Sequence, residues 1–361
     1  MADNFTAANT QNENSLASRR TVLKGLALGT TGLVTGFPFI ARAKPATMTV
    51  PNSGGALEEA YKKAYFETFK QKSGIQILGA PYMDTARVKA MVENNAVDVD
   101  VLNIDATEAA ALASLGLLEP IDYDYIDKAS LLPEAARDHY LLVDVAAYVM
   151  AWNTNTYNAQ TRPKNWQEFF DSGRDGQRSL WKLAPQTLEV AAMGGGQPMS
   201  KLYPIDLDAA FKSLDAIKAD LTWWTSGAQA AQLVIGGEVD VGTVWNGRVF
   251  QAKLDGQPVD YTFDNALYVC DSMVIPKGAK NKKEAMEFLA NMIDAKNQAT
   301  FARQIPYGPV NPKTFELLDA ETLTMLPNSP QNNKSAIMQD FDYWASNGPA
   351  IFDRFNNWLL G

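Results

Sequence analysis

The densest group of side chains able to do chemistry runs from Trp223 to Arg248. It reads Trp223-Trp224-Thr225-Ser226-Gly227-Ala228-Gln229, then Gly236-Gly237-Glu238-Val239-Asp240-Val241-Gly242-Thr243-Val244-Trp245-Asn246-Gly247-Arg248. Arg248 offers a planar fork of donors matched to a carboxylate. Its plainer role would be a surface ion pair. Trp224 and Trp245 offer flat faces to an apolar chain or an ammonium group, and core packing is an equal expectation for each of them taken singly. Ser226 stands where a helix N-cap belongs, with Gly227 behind it, and Asn246 lies at the end of a β-branched run where a strand would deliver it with Trp245 and Arg248.

Three further places could touch a ligand. Ser53-Gly54-Gly55 lies between a short apolar run and a helical one, where glycines and free backbone N–H groups would admit a carboxylate. An ordinary strand-to-helix turn is compatible with that. Asp271 is a polar residue within an apolar run, suited to an ammonium group or to unsatisfied backbone. Tyr82 and Tyr307, in Tyr307-Gly308-Pro309, are loop candidates. Glu238 with Asp240, and Asp122 with Asp124, have pairwise spacing, but among 41 acidic residues such pairs are expected by chance.

Other chemistries are excluded by the inventory. The 361 residues contain one His (His139) and one Cys (Cys270). No intrachain disulfide can form, any Ser-His-Asp or Cys-His system would depend on His139, and a site of several His and Cys ligands is unavailable. Gly194-Gly195-Gly196 lacks the Lys and Ser/Thr of a phosphate loop and reads as a helix C-cap. No cofactor and no metal are expected. The net charge of −9 and the lack of a basic stripe argue against a nucleic-acid partner.

Residues 1–43 read as an export leader. Ser18-Arg19-Arg20-Thr21-Val22-Leu23-Lys24 matches the twin-arginine pattern, Gly25 to Ile40 is apolar but diluted by Gly and Thr, and Ala41-Arg42-Ala43 is an A-x-A cleavage signal. The apolar stretch falls short of the roughly 20 strongly apolar residues of a membrane span. Without the leader, which carries four basic and two acidic side chains, the net charge becomes −11. A soluble periplasmic product is expected.

These candidates need elements to hold them. Thr47–Val50, a helix from Ala56 to Lys72 closed by Ser73-Gly74, and Ile75–Leu78 form a βαβ opening that predicts a parallel sheet. Alternation continues with a helix over 87–94, a strand over 99–104 flanked by Asp98, Asp100 and Asp105, and a helix over 107–115. Two long apolar strands, Leu141–Trp152 and Ala266–Ile275, bracket a segment of roughly 120 residues, enough for a lobe of its own. Within it helices are expected over 165–170, 187–193, 206–218 and 227–235, and strands over 179–183, 239–244 and 261–263. A helix over 283–302 and an aromatic-rich helical tail come after it. The predicted organisation is a leader at 1–43, lobe one at 44–149 plus 275–361, and lobe two at 150–274. A cleft between lobes joined by two crossings is a usual ligand site.

Several stretches resemble the periplasmic substrate-binding proteins of ABC transporters, in particular the spermidine/putrescine-type branch. They are Trp224-Thr-Ser-Gly-Ala-Gln, Gly237-Glu-Val-Asp-Val-Gly with Trp245-Asn-Gly-Arg248, Asp271-Ser-Met-Val-Ile-Pro-Lys-Gly278, Gly116-Leu-Leu-Glu-Pro-Ile-Asp122 and Tyr307-Gly-Pro-Val-Asn311. They occur in the expected order over nearly the whole chain after the leader, and their joint occurrence is specific. The resemblance implies a two-lobed α/β fold with two crossover strands, a non-enzymatic receptor that closes on a small-molecule ligand, and a cognate ABC permease in the inner membrane as partner. A monomer is expected. The resemblance also carries Trp245 and Asp271 over as ligand contacts. Arg248 departs from a diamine site, because a cation there repels a diamine, so the expected ligand widens from polyamines to ω-amino acids and small organic acids. The alternative is an exported periplasmic enzyme with a bound cofactor, which the shortage of His and Cys and the lack of a dinucleotide fingerprint oppose.

Overall fold

The structure, a computed structural model, describes residues 46–361. The expected leader at residues 1–43 lies outside the described residues. The chain opens as a parallel βαβ unit, in which β1 (Thr47–Asn52) and β2 (Gln76–Pro81) pair directly. Between them α1 (Gly55–Tyr61) continues through a π-helical turn at Lys62–Phe66 into α2 (Glu67–Ser73), which stops at left-handed Gly74. Tyr61, Ala64, Tyr65 and Phe69 are buried on this helical stretch, the face its apolar spacing anticipates. After α3 (Thr85–Glu93) come β3 (Leu102–Asp105) and α4 (Ala106–Ser114), whose N-cap is Asp105.

Near the midpoint the chain changes sheets. β4 (Leu141–Leu142) belongs with β3 to a three-stranded sheet, the first, and β5 (Asp144–Asn153), every residue of which is buried, belongs to the seven-stranded second sheet, while β1 and β2 form a pair of their own. Around β5 the chain then builds α5 (Trp166–Phe169), β6 (Arg178–Trp181), α6 (Ala184–Gly194), α7 (Leu207–Ile217), β7 (Leu221–Trp224), α8 (Gly227–Ile235), β8 (Val241–Trp245) and α9 (Asn246–Leu254). It returns along β9 (Val259–Val269) and re-enters the first sheet as β10 (Asp271–Val274). The remainder forms α10 (Lys282–Met292), α11 (Ala295–Ala302), β11 (Gly308–Pro309), α12 (Ala320–Met325), β12 (Ile337–Met338) and α13 (Phe341–Leu360).

The sheet exchange falls at Val143 on the way out and at Cys270 on the way back. The crossings are tied where they meet: Val143 N donates to Asp271 O (3.0 Å) and Asp271 N to Asp144 Oδ1 (3.3 Å). The first sheet is antiparallel and the second is mixed, so the parallel arrangement expected of the βαβ opening holds for β1 and β2 and not for these two sheets. β10 runs antiparallel to β3 and β4, and β5 antiparallel to β8 and β9, while β6 is parallel to β7 and β8. β7 and α9, not anticipated from the sequence, complete the second sheet and its cover. The helix expected over 283–302 is broken, with Asp294 capping α11 through its carboxylate. The end of the chain does not stay with the first sheet: β12 pairs in parallel with β9, and α13 packs on both α4 and α6.

Candidate functional site

A cavity of about 590 Å³ opens where the two sheets meet, within the roughly 300–1,000 Å³ range of small-molecule sites. Eight of the twelve residues expected to bind a ligand line it: Ser53, Gly54, Gly55, Tyr82, Trp245, Arg248, Asp271 and Tyr307. They come from distant parts of the sequence because strand ends and βα turns of both sheets converge there. Gly54 and Gly55 have φ of 68° and 60°, a turn that favours glycine at both places, and the Gly54 N–H is already bound to Asn52 Oδ1 (2.8 Å).

The wall built from the first sheet is acidic. Asp105 ends β3 and caps α4, accepting from Thr107 N (2.8 Å) and from the Thr107 hydroxyl. One turn into α4, Glu108 accepts a hydrogen bond from the Tyr82 hydroxyl. Asp271 starts β10 and is the register partner of Asp105. Behind them Asp144 is buried with its Oδ2 unpartnered. Burial pushes all four carboxyls up, Glu108 to about 7, and for Asp271 the neighbouring Asp144, Asp105 and Glu108 add like-charge repulsion. Among the described residues no group of His, Cys, Asp and Glu is arranged to hold a metal ion.

The wall built from the second sheet is aromatic and cationic. β8 ends at Trp245, which precedes α9, and Arg248 lies in the first turn of that helix, so the strand end delivers both, as its sequence suggests. Arg248 makes no ion pair or side-chain hydrogen bond among the described residues, and its guanidinium is available to a carboxylate. Trp245 is held by a bond from its Nε1 to Gln186 Oε1 (2.9 Å). Gln186 has φ 68° and ψ −44°, a left-handed backbone uncommon outside glycine, in a break at the start of α6. Trp181, at the end of β6, meets Trp245 edge-on with ring centroids 5.1 Å apart. Tyr307 packs on the start of α9, where a Cβ on Gly247 would stand 2.8 Å from its ring, so glycine is needed for that approach.

Four expected contacts do not line the cavity. Trp224 is fully buried behind Trp181 and Trp245, stacked on the first at 5.6 Å and edge-on to the second at 5.1 Å. Ser226 is spent as the N-cap of α8, accepting from Gln229 N (3.3 Å). Gly227 is buried beneath the site, and a Cβ there would meet Trp245 Cε3 at 2.8 Å and Arg248 Nε at 3.0 Å. Asn246 is a buried tie, accepting from Ala147 N (2.9 Å) and donating to Pro306 O (2.6 Å). Of the four, Trp224 packs against Trp245, and Gly227 lies against both Trp245 and Arg248.

Residues not anticipated also line the cavity: Asp105, Glu108, Trp181, Gln186, Cys270 and Phe352. Asp105 and Trp181 carry the same signal as Trp245, a polar or aromatic residue at a strand's carboxyl end. Gln186 and Phe352 carry none, since a helix break and a C-terminal helix bring them in. Cys270 is buried and its thiol is pushed up by burial, as expected of a small hydrophobe.

Residues 64–331 match the family of bacterial extracellular solute-binding proteins. A gamma-aminobutyric acid-binding protein of Pseudomonas aeruginosa is 32% identical over 89% of this chain and 93% of its own length. A solved GABA receptor superposes with a TM-score of 0.81 at 36% identity, covering 86% of this chain and 97% of that one. An ABC transporter substrate-binding protein from Bradyrhizobium japonicum superposes with a TM-score of 0.82 at 32% identity, covering 87% and 100%.

Proposed function

The chain belongs to the family of bacterial extracellular solute-binding proteins, the two-lobed receptors of ABC importers, and on that premise we propose that its ligand is a zwitterionic ω-amino acid of the gamma-aminobutyrate type. One observation carries the reading: a cation with no ion pair among the described residues, on α9, shares one cavity with a cluster of carboxyls on β3, α4 and β10. The ligand carboxylate would sit on Arg248 and its ammonium group among Asp105, Glu108 and Asp271, with the chain between lying on Trp181 and Trp245. Bound in that way it would bridge the sheets and favour the closed form that a permease recognises. Two similar proteins, a gamma-aminobutyric acid-binding protein and a GABA receptor, point the same way. A diamine would satisfy the carboxylates but place its second ammonium against Arg248, and a dicarboxylate would meet the reverse conflict.

The same reading takes lobe one as residues 44–149 with 275–361 and lobe two as 150–274, α13 being shared between them. It takes export by the twin-arginine route and a soluble monomeric life in the periplasm, with a permease and a small molecule as partners and no nucleic acid or cofactor. We prefer a receptor to an exported enzyme because His139 is not part of the cavity lining and the Cys270 thiol is held protonated by burial. A thermal-shift screen of gamma-aminobutyrate, putrescine and succinate tests the ligand class. The largest shift is expected with gamma-aminobutyrate, and a larger shift with either of the other two overturns the assignment.

A further inference from the structure

We propose that Phe352 sets the length of ligand the cavity accepts, an inference that rests on the ω-amino acid reading above. With Arg248 on α9 and the carboxylates on β3, α4 and β10, a chain longer than the straight span between them must bow into the space beside it, and gamma-aminobutyrate fills only a fraction of a cavity of about 590 Å³. Trp181 and Trp245 are fixed by strand register, and Tyr307 by its seat on α9. Phe352 alone among the aromatic residues of the lining comes from α13, so its position depends on how that helix is held.

α13 is held firmly at both ends. At its start Trp344 Nε1 donates to Glu189 Oε1 (2.6 Å), and the same oxygen accepts from Gln339 Nε2 (2.8 Å) and from the Tyr203 hydroxyl (3.0 Å). Glu189 is fully buried on α6, one turn beyond Gln186, so the clasp joins Phe352's helix to the helix that braces Trp245. At the far end Arg354 pairs with Asp208 (2.6 Å), Trp358 Nε1 donates to Asp215 (2.8 Å), and Phe355 and Trp358 pack on Phe211 and Trp223. Between these anchors α13 packs on α4, the helix that carries Glu108. Trp344 lies 5.9 Å from the Phe352 ring, centroid to centroid, and a Cβ on Gly348 would stand 3.2 Å from Phe352 Cε2. Phe352 is therefore a wall of the cavity placed by packing.

Calorimetric titration of a homologous series tests this: β-alanine, gamma-aminobutyrate, δ-aminovalerate and ε-aminocaproate. Affinity of the unmodified protein should peak at one length. Phe352→Ala should move the peak at least one methylene longer, the longer acids gaining about four-fold per accommodated methylene, and Phe352→Trp should move it shorter. If either variant weakens every member by the same factor, or leaves the peak in place, the proposal fails. Phe352→Leu keeps an apolar contact with Trp344 and serves should the Ala variant not fold, as judged by its melting curve. Putrescine and cadaverine are titrated in parallel. Binding of diamines without amino acids refutes the ω-amino acid reading, whereas a length shift between the two diamines would still decide the role of Phe352. Binding of neither series overturns both.

Discussion

Asp105 and Asp271 face each other across β3 and β10, so the strand pair that receives the returning chain also sets two carboxylates side by side at the cavity wall. Like charges in that relation destabilise a sheet. Here Glu108 on α4 and the buried Asp144 on β5 add to the repulsion. Such a cluster is tolerated when it holds protons or when a cation arrives, and the two conditions compete for the same oxygens.

Ligand binding should therefore release protons. Burial raises Glu108 to about 7, and repulsion also raises Asp271, while an ω-ammonium with a lysine-like pKa of about 10.4 stays charged throughout. Affinity for gamma-aminobutyrate is expected to rise between pH 6 and pH 8. Calorimetry at pH 7 in two buffers of different ionisation enthalpy should show net proton release, and enthalpies that do not depend on the buffer would refute the linkage.

The same shifts act in the opposite sense on the stability of the free protein. A carboxyl of unfolded pKa about 4.3 that reaches about 7 when folded leaves the folded state holding more protons between those values, so its contribution to stability falls as pH rises through that window and then levels off. Glu108→Gln has no such loss. Its melting temperature relative to the unmodified protein should climb from pH 5 to pH 8, and a constant difference would show that Glu108 is not under this strain.

Much of this site is legible in the sequence because one rule governs it. A strand's carboxyl end at a sheet opening presents the residues just past it, and Trp245 and Arg248 are found in this way, whereas Asp271 is found as a polar residue within an apolar run. The rule applies equally to Asp105 and Trp181, but Asp105 reads as one of three flanking acids, and Trp181 stands inside an expected strand that runs two residues too long. Trp224 and Ser226 show where spacing fails: a flat ring or hydroxyl in the right stretch is used up by packing or capping, and only the fold tells which. Gln186 and Phe352 lie beyond any local rule, because a left-handed break in α6 and the return of the chain's last helix have no period to read. The sense of the sheets is hidden for a related reason. The crossings at Val143 and Cys270 carry the chain from one sheet to the other, and side-chain pattern is the same for parallel and antiparallel partners.

Arg248→Ala separates the ligand classes. Loss of a charge-assisted contact is expected to weaken gamma-aminobutyrate by about 1.5–3 kcal/mol, on the order of ten- to a hundred-fold. Putrescine, which gains nothing from the guanidinium, should bind as well or better. Calorimetry with both ligands decides, and an unchanged affinity for gamma-aminobutyrate removes Arg248 from the site.

Asn246→Ala should act on stability first. It strips the buried Ala147 N–H and Pro306 C=O of their partner, and an orphaned buried group costs about 1–3 kcal/mol. A melting temperature lowered by several degrees, with the number of binding sites per molecule unchanged, is the expected outcome. An unchanged melting temperature would mean that the tie between β5 and the segment before Tyr307 contributes little.

Gly227→Ala tests whether the site is shaped from beneath. Gly227 does not line the cavity described, yet a methyl group there would lie 2.8 Å from Trp245 Cε3 and 3.0 Å from Arg248 Nε. The two neighbours cannot yield equally. Arg248 is free to swing because nothing among the described residues binds its guanidinium, whereas Trp245 is fastened by its bond to Gln186 and packed against Trp181 and Trp224. Arg248 leaving its place relieves its own overlap, while the closer overlap with Trp245 Cε3 at 2.8 Å remains as an overpacking cost of about 1–3 kcal/mol on the fold. Affinity for gamma-aminobutyrate should then fall toward that of Arg248→Ala, and the double variant Gly227→Ala with Arg248→Ala should be little weaker than either alone. Additive losses in that cycle, measured by calorimetry, would show that Gly227 acts through Trp245 instead.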